Sequence, residues 1–186
     1  MDLRTIGVIG AGQMGGGIAH VCALSGFEVR LLDLEESQLA EAMEKIERDM
    51  HRQAARGKVG DTDVGAALAR ISTSTDYAVF SDCDLVVEAA TEDESIKREI
   101  LKTLVPHLSA DAIIATNTSS ISITRLAAVT DRPGRFIGMH FMNPVPVMQL
   151  VELIRGIATE QDTFEAVQAL ALALDKTVSV AEDFPA

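Results

Sequence analysis

Short unbroken apolar runs alternate with longer stretches of helical period from the start of the chain as far as Thr116. Thr5 to Ile9 is the first run, and it ends in glycine. Met14 to Ser25 has the spacing of a helix and stops at Gly26, a residue suited to a helix C-terminus. Phe27 to Leu32 predicts a second strand with Asp33 at its end. Glu36 to about Ala55 predicts a long, charged, amphipathic helix, followed by Gly57 and Gly60. Asp63 to Ala69 predicts a short helix and Ile71 to Ser74 a weak strand. Asp84 to Glu88 predicts a strong strand, Glu94 to Leu104 a helix stopping near Pro106, and Ala112 to Thr116 another buried strand. Strands that are apolar throughout, rather than alternating, belong to a parallel sheet covered on both faces.

Beyond Thr116 the pattern changes. Ile121 to Val129 reads as a short helix and Arg135 to His140 as a strand. Pro144 and Pro146 mark a turn. Gln149 to Ile154 predicts a strand, Asp162 to Leu174 a helix and Thr177 to Val180 a last strand. The tail from Ala181 to Ala186 stops abruptly, which suggests a chain cut at a domain boundary. No internal repeat, low-complexity segment or long linker is visible.

Gly10-Ala11-Gly12-Gln13-Met14-Gly15 is a G-x-G-x-x-G turn between a predicted strand and a predicted helix. The first glycine permits a tight turn. The second lets a pyrophosphate approach the backbone, and the third lets helix and strand pack closely. The helix start adds unpaired N–H groups and the positive end of its dipole. Asp33 closes the next strand, where a carboxylate accepts hydrogen bonds from a ribose 2′-OH and repels a 2′-phosphate. Leu34 follows, with no Arg beside Asp33 to take that phosphate, so NAD is expected rather than NADP. Asp33 has a second reading as the N-cap of the Glu36 helix. The expected fold is α/β of the Rossmann type: a doubly wound, mostly parallel sheet with extra strands after residue 135.

Composition narrows the partners. The chain has 186 residues with 28 acidic and 16 basic side chains, a net charge of −12. That balance argues against binding nucleic acid through its phosphates. No apolar run is long enough to cross a membrane. The N-terminus lacks the basic start and small-residue cleavage site of a signal peptide, so a cytoplasmic protein is expected. A chain this long buries roughly 70% of its unfolded surface and needs neither disulfide nor metal to fold. No metal is expected. Cys22 and Cys83 lie in apolar surroundings and are expected to be buried thiols.

The second half carries candidate chemistry. Asn117-Thr118-Ser119-Ser120 follows a parallel strand, at the end of the sheet where ligands sit. Its hydroxyls and amide suit a polar substrate; alternatively, Ser119 or Ser120 caps the Ile121 helix. His140 ends an apolar strand, a place where a lone histidine is commonly structural. Glu152, on a nearby strand, is the carboxylate that would orient an imidazole base and stabilise its protonated form. The sequence does not show that the two meet.

These segments together resemble the NAD-binding domain of the 3-hydroxyacyl-CoA dehydrogenases, most closely the bacterial 3-hydroxybutyryl-CoA dehydrogenase type. The resemblance runs over essentially the whole chain. It rests on Gly10 to Gly15, Val87-Glu88-Ala89-Ala90, Asn117 to Ser120, the run from His140 to Met148, and Glu152. The stretch around His140 is far more specific than the glycine turn. The family adds an all-helical domain, which supplies most of a homodimer interface, closes over the substrate and carries a further active-site Asn. On this reading residues 1–186 are an isolated cofactor domain.

The resemblance implies reversible NAD-dependent oxidation of the 3-hydroxyl of a 3-hydroxyacyl-CoA, in fatty-acid or butanoate metabolism. It makes His140 the base, Glu152 its orienting partner, and Ser119 a hydrogen-bond donor to the substrate oxygen. Asn143 positions substrate or nicotinamide. Gly10, Gly12, Gln13, Met14, Gly15, Asp33, Glu92, Lys97 and Asn117 fall on the cofactor side. Glu92 and Lys97 also read as a solvated helix start with surface charge. Coenzyme A brings phosphates, and the densest basic stretch is His51 to Lys58. Arg52, Arg56 and Lys58 are therefore candidate CoA contacts, or else cations that suit a helix C-terminus.

Two rivals remain. β-Hydroxyacid dehydrogenases of the 6-phosphogluconate type share the glycine turn, but the His140-Phe141-Met142-Asn143-Pro144 run fits them poorly. Non-catalytic relatives such as lens lambda-crystallin need none of Ser119, His140 and Glu152, which are all present. An isolated domain is expected to bind NAD while turning over poorly or not at all.

Overall fold

The computed structural model describes residues 3–57 and 60–183. Among them the chain order is β1 (Thr5–Ile9), α1 (Gln13–Leu24), β2 (Glu28–Leu32), α2 (Glu36–Ala55), α3 (Asp61–Ala69) and β3 (Ile71–Ser74). There follow β4 (Leu85–Glu88), α4 (Glu94–Leu104), β5 (Ile113–Thr116), α5 (Ile123–Ala127), β6 (Phe136–Phe141), β7 (Leu150–Arg155), α6 (Gln161–Ala173) and β8 (Thr177–Glu182). All eight strands join one sheet in the order β3-β2-β1-β4-β5-β6-β7-β8. The first six in chain order pair parallel; β7 turns back antiparallel to β6, and β8 runs parallel to β7. The doubly wound α/β reading holds, and the extra strands after residue 135 extend the same sheet.

Two apolar layers sandwich the sheet. On one face α1 and α2, with α6 against β6 and β7, cover Ile6, Val8, Val29, Leu31, Met139 and Val151 in one cluster. On the other, Leu101, Leu104 and Leu126 pack with Phe80 on Ile9, Leu32, Val86 and Ile114. Alternate residues of each central strand serve opposite layers, and both layers are buried. This is why those strands read as continuous apolar runs. Cys22 and Cys83 are both buried free thiols, and burial pushes each up to about 12.

Local differences from the sequence reading have local causes. A 3₁₀ helix over Tyr77–Asp82, absent from the predicted elements, delivers Phe80 to the core. Its start is capped by Asp76, which accepts from Ala78 N at 2.9 Å. The Ile121 helix begins at Ile123, because Thr118 Oγ1 accepts from Ser120 N and Ile121 N and folds that stretch into a turn. Its cap is Ser122, accepting from Arg125 N, and not Ser119 or Ser120. Helix α2 is preceded by Glu35 in the cap position, so Asp33 is not its cap.

The chain goes outward from β1 to β3, then crosses back to place β4 on the other side of β1. This reversal opens a crevice at the C-terminal ends of β1 and β4, the place where open α/β sheets bind ligands. Under it lies a buried ion pair. Glu88, the last residue of β4, and Lys97 of α4 are both wholly inaccessible to water. Lys97 Nζ donates to Glu88 Oε1 at 2.9 Å and Oε2 at 2.8 Å. Glu88 also accepts from Thr116 Oγ1 of β5 and from Ala90 N. Lys97 lies in the first turn of α4 and is buried, so its alternative reading as solvated surface charge does not hold.

Helices α1 and α2 share a polar contact. His20 is buried, and its Nε2 donates to Gln53 Oε1 at 3.2 Å. Burial holds His20 below its ordinary value of 6.5, against the raising pull of Gln53 and Asp49.

Two outcomes are expected. Replacing Lys97 by Met strands the Glu88 carboxylate in the core and should cost about 3–5 kcal/mol in urea unfolding at pH 7. For His20, the unfolded chain takes up its proton near pH 6.5 while the folded chain still resists. Its contribution to stability is therefore complete above pH 6.5 and lost as pH falls toward the folded value. Between pH 7 and 5, His20→Gln should lose less stability than the wild type in urea unfolding.

Candidate active site

The glycine turn lies between β1 and α1 and is tied down from both sides. Gly10 N donates to Leu32 O, and Ala11 N donates to Asp33 Oδ2 at 2.7 Å. Gly10 has φ 95° with its Cα facing the Ala89 carbonyl, where a Cβ would come within 2.8 Å. A Cβ on Gly15 would sit 1.7 Å from Gly10 O, so the helix can approach the turn only with glycine there. Gly12 differs: a Cβ there would meet nothing within 4 Å. Gly12 is the cap residue of α1, and no side chain caps that helix. Open backbone at Gly12 and uncapped first-turn amides fit a pyrophosphate. Asp33 does two things here. Its carboxylate braces the turn through Ala11, and it stands at the C-terminal end of β2, where a ribose hydroxyl would lie.

Hydrogen bonds to the buried pair arrange the next strand ends. Lys97 Nζ also donates to Asn117 O at 3.4 Å and lies 3.9 Å from Glu92 Oε2. All three of its N–H groups are thus accounted for inside the protein. Lys97 is thereby buried beneath the crevice, bonded to Glu88 and to the Asn117 carbonyl and close to Glu92. Glu92 Oε1 accepts from Thr118 Oγ1 at 2.6 Å, Ser119 N at 2.8 Å and Ser119 Oγ at 3.1 Å. Burial pulls the Glu92 pKa up, but these donors and the Lys97 charge outweigh it and hold the carboxyl below its ordinary range. Asn117 Oδ1 accepts from Phe141 N at 2.9 Å, joining the end of β5 to the end of β6. Of the polar segment, only Ser119 and Ser120 are exposed.

His140 and Glu152 face each other across the antiparallel β6–β7 pair, in direct register. His140 Nδ1 lies 2.8 Å from Glu152 Oε2. With an ionised carboxylate, Nδ1 carries the proton and donates it, so Nε2 is the basic nitrogen. The ring is about one-fifth exposed and therefore reachable. Asn143, in the loop between the two strands, accepts on Oδ1 from Gln13 Nε2 at 2.9 Å. This bond joins the loop to the glycine turn, 130 positions earlier in the chain.

The basic stretch stands beside the same loop. Arg52 and Arg56 line a cleft of about 350 Å³ with Gln13, Pro144, Pro146 and Val147. Arg52 Nη1 also lies 3.3 Å from Asp49 Oδ1 in the exposed i,i+3 position. Lys58 falls outside the described residues. A larger cleft of about 630 Å³ adjoins, between the start of α1 and α2, and Pro146 lines it too.

The structure thus brings together His140 with Glu152, Asn143 with Gln13, and Ser119 with Glu92. It records no contact between Ser119 and His140, which stand at the ends of neighbouring strands. Sequence reasoning missed the part played by Glu88 and Thr116. The signal was an acidic residue ending an apolar strand, but nothing in the spacing pairs it with Lys97. Among the described residues no cluster of three His, Cys, Asp or Glu side chains could hold a metal, and no helix is long and apolar enough to cross a membrane.

Known proteins resemble this chain closely in sequence and in fold. The 3-hydroxybutyryl-CoA dehydrogenase of Bradyrhizobium diazoefficiens is 53% identical over 184 residues, 99% of this chain and 63% of that protein. The probable 3-hydroxybutyryl-CoA dehydrogenase of Bacillus subtilis is 45% identical over 185 residues, 64% of its length. This chain thus spans somewhat less than two thirds of these curated relatives. The crystal structure of (S)-3-hydroxybutyryl-CoA dehydrogenase from Ralstonia eutropha superposes with a TM-score of 0.96 at 46% identity, covering 99% of this chain and 65% of that one. The profile described as 3-hydroxyacyl-CoA dehydrogenase, NAD binding domain, matches residues 5–184, and the chain belongs to that family.

Proposed function

We propose that this chain is the NAD-binding part of a dehydrogenase that oxidises the 3-hydroxyl of a 3-hydroxyacyl-CoA, with 3-hydroxybutyryl-CoA as the type substrate. The observation that carries the reading is the 2.8 Å His140–Glu152 pair, set on the same edge of the sheet as the glycine turn. The similarity to 3-hydroxybutyryl-CoA dehydrogenases supports it.

In this reading His140 Nε2 takes the proton of the 3-hydroxyl. The C3–H bond breaks with both of its electrons as the C3=O bond forms. The glycine turn and Asp33 would hold NAD, which would supply the acceptor for that hydride. Glu152 keeps Nδ1 protonated and offsets the positive charge that the ring acquires. Ser119 hydrogen-bonds the substrate oxygen by turning its hydroxyl from Glu92, while its main-chain N–H stays on Glu92 Oε1. Asn143, steadied by Gln13, lines the nicotinamide side. Gly10, Gly12, Met14 and Gly15 shape the pyrophosphate site, and Asp33 selects the unphosphorylated ribose. Arg52 and Arg56 meet the phosphates of coenzyme A beside the Pro144–Val147 loop. The complete enzyme is a homodimer whose added helical domain closes over the substrate.

Two measurements test this. Followed by nicotinamide fluorescence, the chain should bind NADH at least tenfold more tightly than NADPH, and Asp33→Ala should reduce that preference. Equal binding of both would reject the role of Asp33, and no binding of either would reject the cofactor reading. In the complete polypeptide, His140→Ala should lower kcat/KM for acetoacetyl-CoA reduction by roughly 10²–10⁴-fold, the usual contribution of a positioned base. NADH affinity should stay intact. A loss below about tenfold would remove His140 from that role.

A further inference from the structure

We propose that Lys176 is a positioning residue that clamps the Asn143–Met148 loop against the nucleotide-binding half; the functional part of this inference rests on the dehydrogenase reading above. Lys176 follows α6 and directly precedes β8, far in sequence from the site residues. It is 8% exposed. Its Nζ donates to Val145 O at 2.7 Å and to Met148 O at 2.8 Å. Both acceptors are main-chain carbonyls, not carboxylates. An ammonium taken out of water without an ion pair is a costly group to keep. Burial accordingly pulls its pKa down, against the opposing influence of Asp175 and Cys22.

The loop it grips has few other means of support. Pro144 and Pro146 carry no N–H. Val147 and Met148 are exposed, so burial does not hold them. Their amides both donate to Pro144 O at 3.0 Å, which makes the loop a small closed turn. Val145 alone is buried, against Gly17 of α1, where a Cβ would strike it at 2.9 Å. The other outside ties lie at its two ends: Gln13 Nε2 donates to Asn143 Oδ1 at 2.9 Å, and Thr177 N donates to Gln149 O at 2.8 Å.

Lys176 therefore holds the two carbonyls on either side of Pro146 and Val147. That fixes the wall shared by the two clefts, and with it the approach of Asn143 to Gln13. The ends of the same loop are the strands that carry His140 and Glu152. A single cation from the far end of the chain thereby sets the relation between the catalytic pair and the glycine turn.

The test compares wild type with Lys176→Met, which keeps the stem and removes the charge. Backbone amide exchange at Val147 and Met148 should accelerate at least tenfold, while amides in β1 and β4 keep wild-type rates. The dissociation constant for NADH should rise about five- to tenfold. In the complete polypeptide kcat for acetoacetyl-CoA should fall by a larger factor than KM rises. Unchanged exchange at both amides, or exchange accelerated equally through the whole sheet, would overturn the clamp. Faster exchange with unaltered NADH affinity and kcat would overturn its positioning role. A second arm needs no substitution and covers a variant that does not fold. In wild-type chain with ¹⁵N-labelled lysine, the Lys176 ammonium protons should exchange at least tenfold more slowly than those of exposed Lys45 and Lys102. An ammonium exchanging as fast as those two would overturn the proposal. Wild-type chain that binds no NADH would instead sink the dehydrogenase reading, and the exchange rates would still decide whether the clamp exists.

Discussion

A carboxylate and an ammonium, both sealed from water, meet below the C-terminal ends of β4 and β5, and the candidate site is hung from them. Glu88 and Lys97 cannot be separated without leaving a bare charge in the core. Their remaining bonds go to the backbone and side chains that form the crevice floor: Ala90, Thr116 and the Asn117 carbonyl. From that floor the order spreads outward. Asn117 fixes the end of β6, and Glu92 fixes Thr118 and Ser119. The Ala89 carbonyl sits where only glycine fits opposite it, at Gly10. A fully satisfied buried polar network rigidifies its surroundings, and this one holds the ends of β4, β5 and β6 in a fixed relation.

The second device is the change of strand direction at β7. In an all-parallel sheet, the residue beside His140 on the next strand would be reached only through a crossover. The antiparallel turn brings Glu152 into register with His140 after a short loop. The same loop carries Asn143 back to Gln13. One reversal thus builds the His140–Glu152 pair and joins it to the glycine turn. It also leaves Val147, Met148 and Leu150 exposed beside Pro144 and Pro146, next to the cleft lined by Arg52 and Arg56.

Charge is distributed to match. The chain carries a net −12, yet its arginines at the end of α2 stand beside the loop that borders the site. A negatively charged ligand meets a repulsive protein at long range and a few cations at close range. Such an arrangement favours recognition by local geometry over general attraction to anions.

Much of this was legible in the order of residues alone. Apolar runs bounded by glycine, proline and acidic residues determined the strands and their parallel pairing, because a strand covered on both faces has no polar face to alternate. The spacing of Gly10, Gly12 and Gly15 determined the phosphate turn, because each position imposes its own steric demand. His140 and Glu152 were legible as candidates from their chemistry. Whether they met was decided only by the β6–β7 register, a long-range pairing that no local pattern encodes. The same holds for Lys97, whose helix start looks solvated in sequence and whose ammonium lies 0% exposed against Glu88. Lys176 is the plainest case: a lysine after a helix reads as surface, and only the packing of α6 and β8 against the Asn143–Met148 loop turns it inward. Local sequence sets what each segment can become; burial and hydrogen-bond satisfaction across distant segments decide which polar side chains do the work.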